Sequence, residues 1–126
     1  MIIDFSNKKL LTESWLKQFG AWNKYLLQYM YGKDVNMVAD LGVHKLIGLE
    51  EDEQQPDNKL KFIVRGEQRD VKAYADAIFA EKKYLDMYLH YGQGHAQTEK
   101  ARELLKQAVH QFKSVTGITW PFKDEV

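Results

Sequence analysis

Three stretches of this chain repeat apolar residues at helical period, and that repetition constrains the fold more than any other feature. Side chains three and four apart share one face of an α-helix, so each stretch is expected to bury one stripe and wet the other. Over 12–31, Trp15, Phe19, Trp22, Leu26 and Tyr29 recur at alternating steps of four and three, with Leu16 and Met30 widening the stripe. Thr12 suits an N-cap followed by Glu13 in the first turn, and Gly32 stands where a helix-ending glycine belongs. Gly20 costs up to about 1 kcal/mol relative to Ala inside such a helix; a close helix crossing or a slight bend would rationalise it, and a tolerated accident explains it equally.

A second helix is expected over 68–91, with Val71, Tyr74, Ala75, Ile78, Leu85 and Leu89 as its stripe and Phe79 and Tyr88 on the flanks. Gly92-Gln93-Gly94 ends it. A third runs over 98–116 on Ala101, Leu105, Ala108, Phe112 and Val115, reinforced by Leu104 and Val109. Gly117 followed by apolar Ile118 resembles a Schellman-type stop.

The segment between the first two helices reads differently. Residues 35–41 suit a short helix, and 43–49 a strand bracketed by Gly42 and Gly48. The polar run 50–58, acidic over Glu50–Glu53 and holding Pro56, reads as a solvated loop. Over 59–65, Leu60, Phe62 and Val64 alternate with Lys61, Ile63 and Arg65, which is the pattern of a strand. The expected fold is therefore α+β: three long amphipathic helices packed with a small antiparallel β-hairpin, in the order α-β-β-α-α. A two-stranded hairpin is marginal alone, so it must pack on the helices or gain a third strand, which Ile2 to Phe5 can supply. With 126 residues the chain suits a single domain, 1–126, able to bury roughly two-thirds of its unfolded surface.

Composition removes several function classes. The absence of cysteine excludes disulfides, thiolate metal sites and Cys nucleophiles. Lys+Arg and Asp+Glu balance at 18 each, so no global field draws in nucleic acid or an anionic membrane. The opening Met1-Ile2-Ile3-Asp4-Phe5 lacks the pattern of a secretory signal, and no apolar run approaches the roughly 20 residues of a membrane span. A cytoplasmic protein is expected, with neither membrane nor nucleic acid as partner.

Three features could carry chemistry. Arg65, Gly66, Arg69 and Lys72 surround a strand-to-helix junction, where free backbone N–H groups and a helix dipole can hold a small anion or nucleotide. The multiple glycines of a phosphate loop are missing, and Glu67 or Asp70 capping an ordinary helix explains the same residues. Asp86 and His90 share a helical face, with His95 close behind; such a pair can orient an imidazole or simply sit near a helix C-terminus that favours a cation. His44 and His110 lie elsewhere, and no spacing suits a metal; Glu50–Glu53 lacks the order of a calcium loop. No serine or threonine sits in a nucleophile elbow, so no catalytic residue and no cofactor is assigned. The third feature is an aromatic surplus: Tyr25, Tyr31, Tyr84, Tyr88 and Tyr91 lie off their helix centre lines, and Trp120 and Phe122 follow the last helix. Such side chains mark protein interfaces when the core does not absorb them.

The segment DVKAYADAIFAEKKYLDMYLHYG, residues 70–92, and the ending TGITWPFKDE, residues 116–125, resemble small accessory proteins of large-genome tailed bacteriophages. The resemblance covers the C-terminal half and transfers no catalytic residue. It implies expression in an infected bacterial cytoplasm and a role in host takeover, counter-defence or the virion. The reading is a non-enzymatic interaction protein that binds a protein partner, host bacterial or a second copy, through Tyr84, Tyr88, Tyr91 and Trp120. A small anionic-ligand binder using Arg65 to Lys72 and a minor virion component are the alternatives.

Overall fold

The first helix begins where sequence places it, because the Thr12 hydroxyl accepts the backbone N–H of Trp15 at 3.1 Å. The computed structural model describes residues 2–5, 12–30, 35–40, 43–48 and 61–122. Tyr31, Gly32 and the acidic run 50–58 lie outside the described residues. The element order is β1 (Ile2–Asp4), α1 (Glu13–Met30), β2 (Val35–Asp40), β3 (Val43–Gly48), β4 (Lys61–Arg65), α2 (Gln68–Tyr91) and α3 (Ala96–Thr116).

This overturns the expected α-β-β-α-α arrangement of helices on a small antiparallel hairpin. The part of the sheet that enters the described core is a parallel pair, β1 on β4, with Ile3 opposite Val64. Beyond it the sheet continues through β3 to β2, giving the strand order β1-β4-β3-β2. Residues 35–40, expected to be helical, form the β2 edge, paired antiparallel with β3 from Val35 opposite Gly48 to Asp40 opposite Val43. Six residues with two valines are too few for a helical stripe to declare itself, and pairing with a neighbour decides such a segment. Ile3 and Val64 are fully buried, so β1 and β4 sit side by side because one face of each has to be covered by the helices.

Helices account for most of the described chain. α2 and α3 pack most extensively on each other across a turn at 92–95. The Thr98 hydroxyl donates to the carbonyl of Gly92 at 2.8 Å and lies 3.2 Å from that of Met87, tying the start of α3 to the end of α2. Thr98 is thus an inter-helix clasp rather than a helix start; α3 begins earlier, at Ala96, with His95 as its cap. At the far end Gly117 takes the left-handed conformation, φ 76°, and donates to the Lys113 carbonyl at 2.9 Å. The Ile118 N–H goes to the Thr116 hydroxyl at 3.1 Å, so this end is a simple left-handed cap and not the Schellman stop.

The core is an aromatic knot drawn from five parts of the chain. Phe5, Phe19, Tyr74, Phe112 and Trp120 are all buried, and Trp15 stacks on Phe19 at a centroid distance of 5.1 Å. Phe19 stacks in turn near Phe112 at 6.1 Å, Phe5 meets Tyr74 at 5.4 Å, and Trp120 meets Phe112 edge-on at 5.2 Å. Each favourable pair adds about 1 kcal/mol beyond area burial. One polar contact crosses this knot: the Tyr74 hydroxyl donates to Asn23 Oδ1 at 2.6 Å, and Asn23 Nδ2 donates to the Phe19 carbonyl at 2.6 Å. Burial pushes the Tyr74 phenol well above its usual range, because its anion would have no water around it.

Candidate contact face at the end of α2

Three leucines that periodicity assigns to the core are exposed. Leu16 shows 42% of its surface, Leu89 58% and Leu104 51%. The α1 and α3 positions lie at the margins of their stripes. Leu89 fails for a different reason: it lies in the last turn of α2, beyond the aromatic knot that covers Tyr74 and Ile78.

Tyr88 and Tyr91 share this end of α2 and are exposed at 41% and 44%. Tyr84 is half-buried one turn earlier, its ring 6.2 Å from that of Tyr88. Spacings of four and three place Tyr84, Tyr88 and Tyr91 on one face. The Tyr91 ring lies between two histidines, stacked on His95 at 4.4 Å and 17°, and met edge-on by His90 at 4.6 Å and 89°. The four rings from Tyr88 to His95 therefore belong to one short stretch of surface around the α2–α3 turn.

Trp120, expected on the same face, is not there. It is 4% exposed within the aromatic knot, and its indole N–H approaches Glu81 Oε1 at 3.4 Å. Sequence places it after the last helix, where a free tail is the simple expectation; the segment instead folds back, with Pro121 Cβ lying 3.5 Å from where a side chain at Gly20 would begin. That is ordinary van der Waals distance, so neither this approach nor a helix crossing demands glycine at position 20. Between α1 and this returning segment lies an open groove of about 660 Å³, lined by Leu16, Gly20, Ile118, Trp120 and Pro121 with Glu13 and Lys17 alongside.

Of the other sequence candidates, Gly66, Arg69, Asp86, His90 and His95 are engaged in structural contacts. At the β4–α2 junction Arg69 Nε lies 3.2 Å from Glu67 Oε2 and 3.7 Å from Asp70 Oδ1, so two carboxylates already occupy the cation that an anion would need. Arg65 and Lys72 are exposed, and Glu67 forms no side-chain cap. Gly66 is there for space: with φ 143°, a Cβ would stand 2.9 Å from Phe5 Cβ. Asp86 is drawn to Lys82, with Nζ 2.7 Å from Oδ2, and the His95 Nδ1 caps α3 by accepting the Gln97 N–H at 3.1 Å. Asp86, His90 and His95 thus serve a helix pair, a ring contact and a helix cap in turn. Among the described residues no cluster of three or more His, Asp or Glu side chains could hold a metal, and no helix is long and apolar enough to cross a membrane.

No protein family, curated protein or solved structure matches the chain. The geometry of the face is what remains to reason from.

Proposed function

We propose that this chain is a non-enzymatic interaction protein whose contact surface is the exposed end of α2, with Tyr84, Tyr88, Leu89 and Tyr91 meeting a protein partner. The observation that carries the reading is the run of exposed large apolar side chains there: Tyr88, Leu89 and Tyr91 are all outside the core within four residues. Tyrosine and leucine at a helix end offer area at modest entropic cost, and tyrosine adds a hydroxyl for the partner, which suits the centre of a protein interface. The resemblance to phage accessory proteins makes a host bacterial protein the first partner to try, with a second copy of the chain as the other arm.

The test compares the full chain with Tyr88→Glu/Tyr91→Glu and, as a control surface, Leu16→Glu/Tyr25→Glu, each checked for native circular dichroism. Sedimentation velocity reads self-association, and affinity capture from bacterial lysate followed by titration of the purified captured protein reads hetero-association. Loss of binding in the α2 variant alone is the expected result. A chain that stays monomeric and captures nothing overturns the function, and loss through the α1 variant alone overturns the surface.

A further inference from the structure

We propose that the α2–α3 turn is a proton-operated latch on this face, with His95 as its sensor. The consequence for binding rests on the contact-face reading above; the latch itself does not. A backbone N–H can only donate, so the 3.1 Å bond from Gln97 N requires an unprotonated Nδ1 on His95. The neutral ring therefore does two things at once: it caps the first turn of α3 and it stacks on Tyr91.

A proton on His95 reverses the first of these. Nδ1 becomes a donor facing a donor, and the new positive charge stands at the positive end of the α3 dipole. Each loss is worth about a factor of five in the local equilibrium. The stacked Tyr91 ring returns a cation–ring attraction worth about a factor of three at an exposed site. The losses outweigh the gain, so protonation loosens the first turn of α3 against the Thr98 clasp.

The surrounding charges sort into helpers and opponents. From α2, His90 meets the other side of Tyr91 edge-on, so a proton on that ring too adds a second cation to the repulsion. Asp86, one turn back, is held by Lys82. From α3, the Glu99 carboxylate in the first turn is the group able to offset a cationic His95, but Arg102 draws it away, with its guanidinium 3.6 Å from Glu99 Oε2. Lys100 is exposed and cationic. The sign follows: the cap is present while the imidazole is neutral and is lost when Nδ1 takes a proton as pH falls.

The experiment is nuclear magnetic resonance of the full chain between pH 8 and 5, comparing wild type with His95→Asn and His90→Asn. Asparagine caps a helix without titrating. In wild type the Gln97 amide and the Tyr91 ring should shift together with the His95 ring, and protection of the Gln97 and Thr98 amides, corrected for intrinsic exchange, should fall roughly tenfold. In His95→Asn these signals should stay flat, and in His90→Asn they should persist. A Gln97 amide indifferent to His95 titration, or a transition that survives His95→Asn or vanishes in His90→Asn, overturns the latch. These signals need no partner, so a silent binding assay sinks the contact face and leaves the latch standing; a partner bound equally at pH 8 and 5 with flat spectra does the reverse.

Discussion

A methyl group added at position 66 has nowhere to go. With φ at 143° and Phe5 Cβ 2.9 Å from the new atom, Gly66→Ala combines backbone strain with a clash against the Phe5 Cβ and its backbone, and about 3 kcal/mol of destabilisation in urea unfolding is expected. Gly20→Ala should do the opposite. Its Cβ meets Pro121 at an ordinary 3.5 Å, so the gain in helix propensity should raise stability by up to about 1 kcal/mol. Tyr74→Phe removes the donor to Asn23 Oδ1 and leaves that oxygen buried, a loss of about 1–3 kcal/mol at neutral pH. The same substitution changes the alkaline limb. Because burial raises the folded-state phenol, the stability tied to the neutral ring is present below about pH 10, where an unfolded tyrosine ionises, and is lost above it. Wild type should therefore weaken more steeply than Tyr74→Phe as pH rises past that point, as followed by unfolding with tyrosinate absorbance.

At the level of elements, the helices and three strand segments were legible, whereas the β2 edge, the parallel β1–β4 pair and the order of the sheet were not. Phe19, Tyr74 and Phe112 sit where a 3.6-residue period puts them, because a helix carries its pattern within itself. A strand's identity depends on its partner. Val35 to Asp40 carries no alternation strong enough to outweigh a helical reading, and nothing in Ile2 to Asp4 says that it runs parallel to residues some sixty positions later. The exposed rings at the end of α2 were half legible for the same reason: Tyr88 and Tyr91 stand off the stripe in sequence, whereas Leu89 lies on the stripe and is exposed because the core stops short of it. The role of His95 was missed, since a histidine in a glycine-rich turn gives no sign of accepting from the amide two residues on. The clasp between α2 and α3 is Thr98, and Thr98→Val should cost about 1–2 kcal/mol, with the turn amides losing protection before the rest of α3 in hydrogen exchange.

For the whole molecule, Trp120 decides more than any other aromatic that sequence placed on the surface. It touches Phe112, Tyr74, Phe19 and Phe122, so it closes the knot from outside the three helices. Trp120→Ala should cost about 3–5 kcal/mol, a large share of what holds a domain of this size together, and should lower the thermal midpoint far more than Tyr88→Ala.

The ring of Phe5 touches residues 74 and 112, and residue 120 completes the same cluster. On the ribosome, which releases the chain in one direction, Phe5 emerges long before any of these. Only Trp15 and Phe19 of its ring neighbours follow soon, so the early segment stays greasy and half-covered until nearly all of the described chain has cleared the exit tunnel. Acquisition of protease resistance is thus expected only once residues 117–122 have cleared the tunnel, with stalled chains that lack them remaining cleavable and dependent on chaperones.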